Sequence, residues 1–354
     1  MSHYCGIDLH SNNHVVVVID DEDKRVFDRR LSNDLSMTLE VLSPYRETLK
    51  GIAVESTFNW YWLVDGLEEH GFGVQLVNTA AVKQYDGLKY SGDHQDAFHL
   101  AHLMRLGILP TGYIYPKEQR AIRDLLRRRM SLVRSASTQL ISVQSQIWRS
   151  TGMRIKSGDL RKLEFVPPLM DKYTLQAVQA GLMVYQAIQQ EINVLEKSAF
   201  EAIKLTRDFK ILQTITGIGK ILGLTIMLET GDIHRFATAG NFASYCRTVD
   251  ATRTSNGKKK GVGNAKAGNK YLSWAYSEAA HFAVRFEPLA QRFYERKKAK
   301  TNGIIAIRAV ARKLARATWM MLKHQVPYDA KLMFPKSVWA TGMNQQGVWS
   351  NHRL

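Results

Sequence analysis

Cysteine is almost missing from this chain. Its 354 residues hold two, Cys5 and Cys246, 241 positions apart, which excludes a disulfide framework and suits a reducing compartment. No apolar run reaches membrane-spanning length, and the N-terminus lacks a basic segment followed by an apolar one, so a cytoplasmic protein is expected. Acidic residues are scarce where basic ones are plentiful. Residues 1–110 carry nine Lys/Arg against sixteen Asp/Glu, net −7, whereas residues 111–354 carry 40 against 16, net +24. A basic back end on a chain of net charge +17 points to a polyanionic partner, and the acidic front end to a different task. With 45% hydrophobic and 23% charged residues the composition is globular, which excludes a disordered or fibrous protein.

The first 110 residues alternate strand and helix signals, the order of an α/β layer architecture. Strands are predicted over Tyr4–Asp8 and His14–Asp20 with a hairpin turn at Leu9–Asn13, then over Arg25–Leu31, Gly51–Glu55 and Val74–Val77. Helices are predicted over Leu35–Leu49, Trp60–His70 and Asp93–Leu106. From about Lys117 the period changes. Leu126, Val133, Leu140 and Ile147 recur every seven residues, and Val178, Tyr185, Ile192 and Ala199 repeat the pattern after a breaker-rich joint ending in Pro167-Pro168. These are coiled-coil seams; an antiparallel hairpin within the chain and dimerisation through the seam both satisfy them.

A third unit runs from about Phe209 to Phe334. Ile215-Thr216-Gly217-Ile218-Gly219 feeds a helix over Ile221–Glu229, which is either a plain helix start in a core or the pattern of a helix-hairpin-helix element whose free N–H groups can hold a nucleic-acid phosphate at Gly217 and Gly219. The stretch from Arg253 to Lys270 carries Arg253, Lys258, Lys259, Lys260, Lys266 and Lys270 without an acid, and reads as a loop lying along a nucleic-acid backbone. Helices follow over Tyr271–Phe286, Pro288–Thr301 and Ile304–His324, and the tail after Pro335 is irregular.

Four carboxylates stand at element ends: Asp8 and Glu55 close strands, and Asp93 and Asp96, three apart, share a helix face. Brought together they would repel unless cations sit between them, and Mg²⁺ prefers such hard oxygen ligands. The order strand-Asp, strand-Glu, helix-Asp matches the ribonuclease H fold.

Gly6-Ile7-Asp8-Leu9-His10, Val54-Glu55-Ser56-Thr57 and Asp93-His94-Gln95-Asp96-Ala97 resemble the three acidic motifs of the DEDD insertion-sequence transposases, also called bridge-RNA-guided recombinases. The Ile215–Gly219 turn, Gly231-Asp232-Ile233-His234-Arg235-Phe236, and Thr254-Ser255-Asn256-Gly257 followed by Lys266–Leu272 are similar to that family's transposase domain in order and spacing. His94-Gln95 departs from the pattern, standing where relatives commonly carry a basic residue. The resemblance implies a RuvC-like (RNase H-like) α/β domain over residues 1–112, an α-helical coiled-coil insert over 113–207, a mainly α transposase domain with a helix-hairpin-helix-like element over 208–335, and an irregular tail over 336–354.

It further implies an RNA-guided recombinase. Asp8, Glu55, Asp93 and Asp96 would hold Mg²⁺, two ions with Mn²⁺ able to substitute, and Ser255 would attack a DNA phosphate to give a covalent phosphoserine linkage. Composition alone makes Ser255 an ordinary turn serine. The implied partners are donor and target DNA, a noncoding guide (bridge) RNA and further copies of the chain in a dimer or tetramer, in the nucleoid of a bacterial or archaeal cytoplasm. A RuvC-like nuclease that hydrolyses branched DNA with metal and water is the alternative enzyme, and a non-catalytic nucleic-acid scaffold the alternative class. His99 and His102 are read as helix packing, Trp60 and Trp62 as core, and Arg127-Arg128-Arg129 with Arg134 as a solvated face or a contact to RNA phosphate.

Overall fold

Strand alternation sorts the first domain into layers. In β1 (His3–Leu9), Cys5, Ile7 and Leu9 face one side of the sheet and Gly6 and Asp8 the other. The computed structural model describes residues 1–82, 92–162, 170–202, 206–249, 252–262 and 267–335. They fall into two compact units, Met1–Lys117 and Glu118–Leu354.

In the first unit β1, β2 (Asn13–Ile19), β3 (Arg25–Ser32), β4 (Leu49–Glu55) and β5 (Val74–Val77) form one mixed sheet in the order β3-β2-β1-β4-β5. The β1–β2 and β2–β3 pairs are antiparallel, and β1–β4 and β4–β5 are parallel. One face carries α1 (Leu35–Leu42) and α2 (Tyr61–Glu69): Leu42, Leu63 and Leu67 bury against Ile7, Val16, Val18 and Ile52. The other carries α3 (Asp93–Arg105), whose Ala97 and Ala101 lie on Val15, Val17 and Ile19 while Leu100 and Met104 lie on Ala53 and Val77. Each such buried Leu, Ile, Val or Met side chain contributes about 1.5–3 kcal/mol. The helix expected to run to Leu49 stops at Leu42. Pro44 turns the chain into a short 3-10 segment, Ser43–Tyr45, and β4 begins at Leu49 instead. Trp60 is buried and Trp62 packs partly against the same core.

Gly6 sets how closely α3 approaches. A Cβ there would stand 1.9 Å from the Ala97 carbonyl oxygen and 2.8 Å from the Ala101 amide nitrogen. Only a residue without a side chain lets the helix lie directly on β1.

The second unit opens with α4 (Lys117–Thr151), α5 (Ser157–Leu160) and α6 (Lys172–Ala202). Ala136, Leu140, Val143 and Ile147 of α4 bury against Val178, Tyr185 and Ile192 of α6, so the heptad positions are satisfied by an antiparallel pair within one chain. At the other end of the pair, Leu126 and Ala199 meet Phe209, Leu224 and Leu228. The joint's Pro167-Pro168 lies outside the described residues.

The rest of the unit comprises α7 (Arg207–Leu212), α8 (Lys220–Thr230), α9 (Ala239–Tyr245), β6 (Thr252–Ser255), β7 (Lys258–Val262), α10 (Lys270–Phe286), α11 (Pro288–Lys300), α12 (Gly303–His324) and α13 (Ala330–Met333). Phe242, Leu272, Tyr276, Ala279, Val310 and Leu314 are among its fully buried residues. Side chains cap most of these helices, with Thr206, Thr238, Asn269, Glu287 and Asn302 accepting from first-turn amides. The tail from residue 336 lies outside the described residues. No helix among the described residues is long and apolar enough to cross a membrane.

Candidate active site

The two-residue period that puts Gly6 under α3 puts Asp8 on the same face, at the carboxyl end of β1. Val54 pairs with Ile7 in the parallel neighbour β4, so Glu55 stands beside Asp8 at the same sheet edge. Met104, near the end of α3, meets Gly51 near the start of β4. The helix thus runs against the strands, and its first turn delivers Asp93 and Asp96 to the edge where Asp8 and Glu55 end. Three elements thereby bring the four sequence-predicted acids together.

The contacts bear this out. Glu55 hydrogen-bonds Asp8, and burial, that bond and the charges of Asp8 and Asp96 push its carboxyl from an ordinary 4.5 up to about 8. Asp96 is raised too, by burial first and then by Asp8 and Asp93. Asp93 moves the other way, held below the usual carboxylate range chiefly by its hydrogen bond to Arg30 and also by His10. Arg30 reaches the Asp93 carboxylate at 2.5 Å.

Two of these neighbours were not among the predicted site residues. His10 Nε2 lies 3.3 Å from Asp8 Oδ2 and 3.2 Å from Asp93 Oδ2, and one ligand atom from each of Asp8, His10 and Asp93 fits within 4.8 Å of the others. Its backbone is fixed, since the His10 carbonyl accepts from Asn59 Nδ2 at 2.9 Å and Asn33 Nδ2 at 3.1 Å. His10 stands inside the first acidic motif, so proximity to Asp8 was a usable signal. Arg30 reaches Asp93 across 63 positions of sequence, and nothing local announces that contact. Of the flanking histidines, His102 Nδ1 donates to the Asp23 carboxylate at 2.8 Å beside Arg105. His94 pairs with Asp28, and Gln95 accepts from Arg25 at 2.8 Å.

Carboxylate oxygens with one imidazole nitrogen form a donor set that fits a divalent cation, and Glu55 keeps its proton because it is half-buried beside Asp8 and Asp96. The sign of the linkage follows. Between 4.5 and about 8 folded Glu55 holds a proton that the unfolded chain has shed, so its contribution to stability is present below 4.5 and is lost as the pH rises through 8. A cation bound among these acids would displace that proton. Titration with Mg²⁺ at pH 7 in two buffers of unlike ionisation enthalpy is expected to show release of close to one proton per site, and Glu55→Gln to remove it. Binding without proton release would refute the assignment.

The family of DEDD transposases of the IS110 type matches residues 5–148, and the transposase family IS116/IS110/IS902 matches residues 209–295. The chain belongs to the IS110 transposases. Among curated relatives, the transposase for insertion sequence element IS1111A of Coxiella burnetii is 23% identical over 284 residues, covering 76% of this chain and 76% of that protein. An uncharacterized 43.6 kDa protein of insertion element IS110 from Streptomyces coelicolor is 26% identical over 149 residues, 42% of this chain and 35% of that protein. An uncharacterized 42 kDa protein of insertion element IS900 from Mycobacterium paratuberculosis is 27% identical over 147 residues, 40% of this chain and 36% of that protein. An IS110 transposase acts on DNA by cutting and recombining it, and its DEDD motif points to a divalent metal.

In this transposase the remaining predicted residues lie in the second unit. The segment expected as a loop from Arg253 is a β-hairpin: β6 and β7 pair antiparallel, Arg253 opposite Gly261 and Ser255 opposite Lys258. Asn256 and Gly257 form the tip with φ of 49° and 69°, the two left-handed residues of a two-residue turn. That Asn-Gly pair between β formers was the signal, masked by the surrounding lysines. Ser255, Lys258 and Lys260 are exposed, Lys259 lies on β7, Lys266 falls outside the described residues, and Lys270 is exposed at the start of α10.

Gly217 has a structural duty. With φ of 100°, it faces α10 so closely that a Cβ would stand 2.5 Å from the Ala279 carbonyl oxygen. Gly219 faces open space and caps α8 without any side-chain bond. Arg127 and Arg129 are held internally rather than offered to RNA. Arg127 forks onto buried Glu229 at 2.5 and 2.8 Å, Asn269 donates to the same carboxylate at 2.7 Å, and Arg129 pairs with Glu196 at 2.6 Å. The Lys266–Leu272 motif therefore builds this buried network through Asn269, while Gly268, φ 89°, packs against the Tyr245 carbonyl.

Proposed function

We propose that this IS110 transposase is an RNA-guided DNA recombinase whose RuvC-like, RNase H-like first unit supplies the acids and whose second unit supplies the nucleophile, Ser255. The observation that carries this reading is the convergence of Asp8, Glu55, Asp93 and Asp96 from two strand ends and one helix start, with Glu55 pushed up to about 8 by burial and by Asp8 and Asp96. The sheet order, with an antiparallel β1–β2–β3 meander followed by two parallel strands, supports the RNase H-like assignment. The four carboxylates would hold divalent ions, two Mg²⁺ in this reading with Mn²⁺ as substitute, which would supply neutralising charge at the phosphate and ease ionisation of the attacking hydroxyl.

The chain's own residues do the rest. Exposed Ser255, one place before the hairpin tip, projects where a DNA backbone can reach its Oγ, and Lys258 across the ladder and Lys260 beside it hold the phosphate by charge. Oγ bonds to phosphorus as its proton leaves to solvent, the bond from phosphorus to one deoxyribose oxygen breaks, and that oxygen takes up a proton. A diester remains, with serine in place of one DNA oxygen, so the reverse step rejoins DNA without external energy. His10 and Arg30 orient Asp93. In this reading Arg253, Lys259, Lys266, Lys270, Gly217 and Gly219 are further nucleic-acid contacts, and a noncoding RNA selects the DNA by base pairing. The assembly is a homo-oligomer, a dimer or tetramer, acting at the nucleoid.

The test is the covalent intermediate. Wild-type protein with its DNA, RNA and Mg²⁺ is expected to give a denaturation-resistant protein–DNA adduct that vanishes with Ser255→Ala. Cleavage by Ser255→Ala at the normal rate would instead establish the metal-and-water nuclease.

A further inference from the structure

Beside the Gly217 turn the second unit opens an uncapped groove of about 810 Å³, lined by Ile215, Ile218, Lys220, Phe200, Phe282 and Phe286. Two of these residues are out of place on a folded surface. Phe282 and Phe286, one helical turn apart on α10, are 45% and 59% exposed, and their rings lie nearly parallel, 8° between planes and 6.3 Å between centroids. The inner face of the same helix is filled by Leu272, Ala275, Tyr276, Ala279 and Ala283, so burial of the core does not need these rings. A Cβ built on Gly217 would stand 3.2 Å from Phe282 Cβ, so the turn runs close beside the root of the first ring.

Cations flank the pair. The Arg285 guanidinium lies 5.1 Å from the Phe286 ring centroid, and the Lys220 ammonium stands at the groove over Phe200. The acid that lines the groove, Glu196, is neutralised by Arg129 at 2.6 Å. Parallel aromatic faces at one-turn spacing, bordered by Lys and Arg on a half of the chain with net charge +24, match the chemistry of unpaired bases on a phosphate backbone. A duplex keeps its base faces covered and has nothing to offer these rings. A hydrophobic peptide would gain nothing from the cations.

We propose that Phe282 and Phe286 form a stacking platform for single-stranded DNA, holding bases unpaired when the transposase opens its substrate, with Lys220 and Arg285 on the flanking phosphates. The platform is independent of the acids and of Ser255, so its test uses the full chain in EDTA, where the proposed chemistry plays no part. Fluorescence anisotropy would compare a 20-nucleotide oligo-dT, the matching duplex and an oligo-U RNA. Phe282→Leu and Phe286→Leu keep the bulk and lose the π face; each is expected to weaken single-stranded DNA binding about tenfold and the double variant about a hundredfold, with duplex affinity unchanged. Phe282→Trp is expected to retain binding. Ultraviolet crosslinking of a 5-iododeoxyuridine oligonucleotide is expected to mark Phe282 or Phe286 in the peptide map. The proposal is overturned if the double variant binds oligo-dT like wild type, if single-strand and duplex affinity fall together, if only the RNA responds, or if the variants lose self-association and keep DNA.

Discussion

Asparagine at Asp8 is expected to leave a folded protein that binds nucleic acid and does not cut it. Asp8 is buried at the centre of the four acids, touching Glu55 and lying 3.3 Å from His10. Changes one shell beyond a metal typically cost 10–100-fold, so loss of a direct ligand should lower strand cleavage by more than about a hundredfold. The fold has no reason to suffer. Asn removes a negative charge beside two carboxyls raised by burial and, after it, by that charge, so without metal the melting temperature should hold or rise, most visibly above pH 8 where wild-type Glu55 must ionise. Mg²⁺ should raise the melting temperature of wild type and not of Asp8→Asn. Nucleic-acid affinity should persist because the excess positive charge lies after residue 110. A variant that keeps its metal-induced thermal shift, or that cleaves normally, would remove Asp8 from the site.

The second large effect is at a residue with no chemistry. Gly6→Ala would drive a methyl group to within 1.9 Å of the Ala97 carbonyl oxygen, a backbone atom that side-chain rotation cannot move aside. Overpacking of this kind costs about 1–3 kcal/mol or more, which for a unit of this size lowers the melting temperature on the order of 5–15 °C. Activity should fall further than stability. Lifting α3 carries Asp93 and Asp96 away from Asp8 and Glu55, and a misplacement of about 1 Å costs roughly a hundredfold. Gly73→Ala, where a Cβ would meet nothing within 4 Å, is the control and should change stability by less than about 0.5 kcal/mol. Equal behaviour of the two variants, by calorimetry and by cleavage, would show that α3 does not depend on the gap at Gly6.

Much of this was legible in one dimension because the signals are local. Period two marked β1, β2 and β5, caps and breakers bounded α10, α11 and α12, and heptads marked α4 and α6. The acids were legible for the same reason: each ends a predicted element, and element ends on a layered sheet meet at one edge. Charge arithmetic placed the excess of basic residues after position 110. Local signals also misled where two competed. Lysines around Asn256-Gly257 hid a hairpin behind the composition of a loop, and Pro44 ended a helix that apolar spacing would have extended to Leu49.

The order of elements, the face each presents, the four acids and the sign of the net charge before and after residue 110 all follow from side-chain type and spacing along the chain. Tertiary structure alone decided who meets whom across long separations. It chose the intrachain helix pair over a seam left open to a second copy. It turned Arg127 and Arg129 inward onto Glu229 and Glu196, brought Arg30 and His10 to Asp93, and left Phe282 and Phe286 in the open. The physical reason is that a charge or an aromatic ring advertises a preference for some partner without naming it, and the partner is supplied only when packing fixes which surfaces close and which remain in water.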